Sequence, residues 1–151
     1  MLRREKGFTL IELLIVMAVI AILIGIALPR FRGMQDESNL ARARSELRTL
    51  QTAIESYYIN RSPKSYPAYD GGSVLWEVAL TGAMPQIIST IVYDPFGATT
   101  TTQYRYDASA NRQFYIVWSQ GVNREAQVLT IGNTGVIAGT LGTKLYMSNA
   151  Q

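Results

Sequence analysis

The chain has 151 residues, 48% of them hydrophobic and 17% charged, the length of one ordinary domain rather than of a multidomain enzyme. It contains no Cys and no His, which excludes a disulfide framework, a thiolate nucleophile and Cys-based zinc or iron–sulfur sites, and removes the commonest general base. The formal net charge of +3 is weak support for nucleic-acid binding, because Arg3, Arg4 and Lys6, set against Glu5, supply two of the three charges within the first seven residues.

From Phe8 to Leu28 the chain runs for 21 residues with one charge, Glu12. As a helix this segment is roughly 30 Å long, the thickness of a bilayer's hydrocarbon layer. A secretory signal peptide has a shorter apolar stretch and a small-residue cleavage site, whereas Pro29, Arg30 and Phe31 follow here. A buried core helix would carry a polar face, and this run is apolar all round. The spacing therefore predicts a membrane span. Arg3, Arg4 and Lys6 before it, against Arg30 and Arg32 after it, favour a cytoplasmic N-terminus by a small margin and place residues 31–151 outside the cytoplasm.

Glu12 is out of place in such a span, because an ionised, unpaired carboxylate there costs a few kcal/mol. Cleavage between Gly7 and Phe8 would create an α-amine at Phe8. An amine and a carboxylate about 4 Å apart attract by roughly 4 kcal/mol at an effective dielectric near 20, enough to offset that cost. If the amine belongs to a neighbouring copy, the pair encodes assembly. The alternative is a Glu near the headgroups that snorkels or holds a proton.

Pro29 would deprive the Gly25 carbonyl of its donor, so the turn from Gly25 to Pro29 is the weak point of the helix, where a kink or local unwinding is expected. Helical spacing then resumes. Leu40, Ala43, Leu47, Leu50, Ile54 and Tyr57 form one apolar stripe, with Arg42, Arg44, Glu46, Arg48 and Glu55 on the other faces, in an amphipathic helix from about Asp36 to Tyr58. The arginines read as a solvated face interleaved with Glu46, and no nucleic-acid partner is expected. Phe8, Phe31, Tyr57 and Tyr58 read as packing residues rather than as a conducting stack.

After a stop at Asn60 to Lys64, a loop region from Tyr66 to Val92 holds a short helix at Ser73 to Leu80, with Leu75, Ala79 and Leu80 toward the long helix. Strands are expected at Gln103 to Tyr106, Gln113 to Trp118, Gln127 to Ile131 and Gly135 to Ala138, with a hairpin turn at Gly132-Asn133-Thr134-Gly135 and an edge strand at Thr143 to Met147. The expected fold is α+β: a long N-terminal helix, half membrane-spanning and half amphipathic, packed against a small antiparallel sheet. The divisions are 1–7, 8–28, 29–60 and 61–151.

Lys6-Gly7-Phe8-Thr9-Leu10-Ile11-Glu12-Leu13-Leu14 resembles the class III signal of the type IV pilin-like family. The resemblance implies that Gly7 ends a leader, that Phe8 becomes the N-methylated mature terminus, and that Glu12 is the assembly carboxylate. Asp94-Pro95-Phe96-Gly97, Tyr104-Arg105-Tyr106, Tyr66-Pro67 and Ser119-Gln120-Gly121-Val122-Asn123 are similar to segments of the major pseudopilins of type II secretion. In those proteins the last loop holds calcium through aspartates and carbonyls. Here Asn123 and Glu125 replace the acidic cluster, leaving Ser119, Asn123 and Glu125, with Asp94, as the calcium candidates; no other cofactor is expected.

The resemblance implies a non-enzymatic subunit, held by one pass in the bacterial inner membrane with its head in the periplasm, that homopolymerises into a helical filament. Its implied partners are a prepilin peptidase and N-methyltransferase, an inner-membrane assembly platform with its ATPase, and minor pseudopilins or pilins. A periplasmic pseudopilus for protein export is the first reading. A surface type IV pilus is the alternative, and a single-span anchored binding module the third. An enzyme would need a Ser or Thr beside Lys64 or Lys144, and no motif joins them.

Overall fold

The computed structural model describes residues 8–69, 75–123, 128–140 and 145–150. They form two compact units, divided after Ser38. A single helix, α1 (Leu10–Ile59), contributes to both.

In the first unit α1 opens on a capping box. Glu12 N donates to Thr9 Oγ1 at 3.3 Å, and Glu12 Oε2 accepts from Thr9 N at 2.8 Å and Thr9 Oγ1 at 2.7 Å. Two amide groups at the helix start are thereby satisfied. The helix continues unbroken through Gly25 and Pro29, so the local unwinding expected there does not occur. Proline removes one intrahelical bond at a cost of about 3 kcal/mol, whereas unwinding the turn would forfeit several.

In the second unit the remaining turns of α1 bury one stripe: Ala43, Leu47, Leu50, Ala53, Ile54 and Tyr57. This is the stripe the three- and four-residue spacing predicts, except that Leu40 is only half-buried and Ala53 joins it. Against it lies an antiparallel sheet of β1 (Arg105–Ala108), β2 (Tyr115–Trp118) and β5 (Tyr146–Ser148) in the order β1-β2-β5. Alternation along β2 sends Tyr115 and Val117 into the helix-side core with Tyr66, Trp76, Leu80, Tyr104 and Tyr106. Ile116 and Trp118 enter a second core with Leu129 and Ile131. That core is closed by a hairpin of β3 (Thr130–Ile131) and β4 (Ile137–Ala138), turning at Gly132 to Gly135 as expected. The φ of +79° at Gly135 is the left-handed conformation such a turn needs.

Several expected boundaries move. Gln103 and Tyr104 precede β1 because Gln103 bridges Tyr93 instead, beside the Asp94 N to Thr102 O bond of 2.8 Å. Gln113 and Phe114 precede β2 because their amides donate to Ser109 Oγ in a turn. The short helix α2 is Leu75–Thr81, and Trp76, Glu77 and Leu80 are its buried residues. Ser73, Gln127 and Thr143, at the starts of three expected elements, lie outside the described residues. Among the described residues there are two sheets instead of one, joined where Ile131 N donates to the buried Asp107 Oδ2 at 2.8 Å. Burial raises the Asp107 pKa against the lowering pull of its backbone bonds.

Candidate assembly site

Phe8, at 76% exposure, and the apolar residues after it present nothing but hydrocarbon to their surroundings apart from Thr9 and Glu12. Leu10, Ile11, Leu14, Met17 and Ile22 are all more than 60% exposed. By length and composition this part of α1 can cross a membrane. Apolar surface on this scale is covered by lipid, by other copies, or by each in turn. Within it Glu12 is satisfied by Thr9 alone, through neutral donors. While residues 1–7 are attached, Phe8 N is a peptide nitrogen and cannot serve as the cationic partner. Gly7, the other side of the expected cleavage, lies outside the described residues. The Thr9-x-x-Glu12 spacing is itself a capping-box signature that marks the helix start.

The calcium candidates separate. Asp94 is 3% exposed and Ser119 fully buried, and they meet directly: Ser119 Oγ donates to Asp94 Oδ1 at 2.8 Å. Phe96 N also donates to Oδ1, at 3.0 Å, and Gln120 N donates to Oδ2 at 2.7 Å. Ser119 Oγ in turn accepts from Gly121 N at 3.1 Å. Among the described residues every hydrogen-bond partner of this carboxylate is a donor, so a cation reaching it would have to displace three hydrogen bonds. Asn123 is exposed, and Glu125 lies outside the described residues. Among the described residues no group of three His, Cys, Asp or Glu side chains is placed to hold a metal. Asp94 and Ser119 therefore do not fit a calcium shell, which needs oxygen acceptors facing inward. The same node explains Asp94 to Gly97: Gly97 N closes the turn on Asp94 O at 3.0 Å, and a Cβ at Gly97 would collide with the Thr102 side chain.

Spacing sets Glu46 and Glu55 off the apolar stripe of α1, yet both reach tyrosines of the head. Glu46 Oε2 accepts from Tyr104 at 2.6 Å, while Glu55 accepts from Tyr66 and Tyr115, each at 3.0 Å. Desolvation and the adjacent carboxylates push all three tyrosine pKa values up. Pro67, after Tyr66, accepts the Tyr106 hydroxyl through its carbonyl at 3.0 Å, which accounts for the Tyr66-Pro67 segment. Arg42 pairs with Glu46 at 2.8 Å, and Arg44 and Arg48 are solvated as expected. Glu77, fully buried, has no hydrogen-bond partner among the described residues, and burial pushes its pKa up to about 8.

Residues 2–28 match the prokaryotic N-terminal methylation motif. A fimbrial protein of Pseudomonas aeruginosa is 47% identical over 55 residues, 36% of each chain. The type IV major pilin protein PilA of Myxococcus xanthus is 47% identical over 55 residues, 36% of this chain and 25% of its own. The type II secretion system core protein G of Dickeya chrysanthemi is 27% identical over 103 residues, 64% of this chain and 66% of its own. The chain thus spans about a third of the length of the Pseudomonas fimbrial protein and a quarter of that of PilA. No solved structure matches it. With a long apolar N-terminal helix and a small antiparallel sheet, the chain fits a type IV pilin-like family with an α+β fold.

Proposed function

We propose that this chain is a non-enzymatic structural subunit of a type IV pilus-like filament. It is stored in the inner membrane by its apolar helix and, after cleavage between Gly7 and Phe8, is drawn into a polymer whose core is made of such helices. The observation that carries this reading is the exposed apolar surface from Phe8 onward, with one carboxylate, Glu12, inside a methylation motif. Cleavage and N-methylation by a prepilin peptidase would turn Phe8 N into a cation that a neighbour's Glu12 can pair with, exchanging the Thr9 cap for an intermolecular bond. Repetition of one such head-to-tail contact without closure gives a filament. An assembly platform with its ATPase and minor subunits would supply the extraction and initiation that the contact itself cannot.

Among filament types, we favour a pseudopilus serving type II secretion. A match of 103 residues to core protein G cannot be confined to the helix and must enter the head. Higher identity to fimbrial proteins over 55 residues supports the second reading, a surface pilus. Intact mass and N-terminal analysis of protein from native membranes, beside a Glu12→Ala strain, tests both. Methylated Phe8 at the terminus and loss of filaments in the variant are expected. A secretion defect with normal surface pili selects the pseudopilus, and the opposite pattern selects the pilus. A terminus at Met1 with Glu12→Ala indifferent refutes the proposal.

A further inference from the structure

Five aromatic rings of the head follow one another in a column that the filament reading does not use. Trp76 stacks on Tyr106 with ring centroids 4.9 Å apart, and Tyr106 on Tyr115 at 6.3 Å. Tyr115 then meets Tyr66 at 4.6 Å, and Tyr66 stacks on Tyr58 at 4.5 Å. These are the spacings of favourable aromatic pairs. They are also short enough for an electron to pass from ring to ring, because tunnelling fades steeply with distance. The column starts at Trp76, 3% exposed, and ends at the half-buried Tyr58, so it leads from the core toward solvent.

The hydroxyl partners divide the rings into two kinds. Tyr106 donates to the Pro67 carbonyl at 3.0 Å and Tyr58 to the Gln113 side-chain carbonyl at 3.1 Å, and neither amide oxygen can keep a proton. Tyr66 and Tyr115 instead donate to Glu55 Oε2 and Oε1, each at 3.0 Å, and a carboxylate is a base. Desolvation and the Glu55 charge push both hydroxyl pKa values up, so each keeps its proton at rest. Loss of an electron reverses this, because an oxidised phenol is a strong acid. Burial opposes charge, so an indole radical cation at Trp76 is costly in the core. A proton passed from Tyr66 or Tyr115 to Glu55 leaves a neutral radical and a neutral acid.

We infer that this column is a radical sink: a one-electron oxidation at Trp76 is handed to Tyr66 and Tyr115, where the hydroxyl proton moves to Glu55. With an oxygen-centred radical as the oxidant, the radical takes one electron from Trp76 and becomes an anion. The indole radical cation, the phenol and the Glu55 carboxylate then give indole, a neutral phenoxyl and a protonated Glu55. A thiol restores the phenol by donating a hydrogen atom, and Glu55 returns its proton to water. Tyr106 carries the electron without holding the radical, since its proton has no base to go to. The sink lies wholly within one head and does not depend on which filament the subunit builds.

A laser flash that photoionises tryptophan starts the transfer in full-length protein in detergent micelles, with N2O and tert-butanol removing the ejected electron. Trp118→Phe leaves Trp76 as the single indole. Should that variant not fold, Trp76→Phe in otherwise unchanged protein is expected to remove the transfer phase instead. Transient absorption should show the indole radical converting to a phenoxyl at a rate independent of protein concentration and slower in D2O. Glu55→Gln keeps an acceptor for both hydroxyls but is no base, and is expected to slow the conversion at least about tenfold. The double variant Tyr66→Phe/Tyr115→Phe keeps both rings and should slow it as much, which carries the test if Glu55→Gln unfolds the head. Glu46→Gln, beside Tyr104, should leave the rate unchanged. A rate proportional to protein concentration, no D2O effect, a phenoxyl formed as fast in folded Glu55→Gln or in the double variant, or equal slowing by Glu46→Gln would each overturn the inference.

Discussion

The two stretches of α1 make opposite use of the same residue types. Before Ser38, Leu, Ile and Val occur on every side of the helix and are exposed; after it Leu47, Leu50 and Ile54 share one stripe and are buried against the head. A helix that is apolar all round is fitted to lipid or to identical neighbours, and one with a stripe is fitted to its own domain. Glu12, the acidic group within the apolar run of the first stretch, is satisfied by its own cap, whereas Glu46 and Glu55 of the second take the hydroxyls of Tyr104 and Tyr115 in the head. A polar residue on this helix therefore reports what the surrounding surface is meant to meet.

The sharpest way to break the comparison is to delete the same side chain in each stretch. Leu50→Ala, at a fully buried position, is expected to destabilise the head by about 2–5 kcal/mol, whereas Leu14→Ala changes it by less than about 0.5 kcal/mol; thermal unfolding in detergent measures both. A smaller effect is expected at the loop node. Asp94→Asn turns one acceptor oxygen into a donor facing donors and should cost about 2–3 kcal/mol, with the wild-type melting curve unmoved by EDTA or added calcium.

The smallest effect is at Glu77. Its pKa rises from 4.5 to about 8 on folding through burial, so the unfolded chain releases the proton first and stability falls as pH rises between those values. Glu77→Gln should remove that slope, leaving stability near wild type at pH 4 and raising it by about 1–3 kcal/mol at pH 7.5, read from urea unfolding at both. A variant as pH-sensitive as wild type would assign the slope to another group.

What the sequence made legible was whatever has a period. The span, the stripe from Ala43 to Tyr57 and the Gly132 to Gly135 turn follow from local spacing and turn chemistry. What escaped depends on distant partners. Glu46 sits three residues after Ala43 and four before Leu50, so its placement beside the stripe could have been read, but its partner Tyr104 is 58 residues away and has no local signature. Trp76 was readable as apolar, yet its stacking on Tyr106 at 4.9 Å requires the loop path that brings α2 to β1. Asp94 and Ser119 stand together both in the calcium expectation and in the structure, because a carboxylate and a hydroxyl suit a cation and a hydrogen bond equally until the directions of the donors are known. The Thr9-x-x-Glu12 cap has a local signature, the spacing of a capping box.

The carboxylates Glu46 and Glu55 lie nine residues apart, roughly 13 Å along the helix axis. Tyr104 grips the first, and Tyr66 and Tyr115 the second. Tension applied along α1 would load these attachments together, as shear across parallel links, rather than peeling them one at a time. Slipping the helix by a single turn would require all three hydroxyls to let go at once. The junction between helix and head is thus a mechanical coupling, stiff along the helix axis.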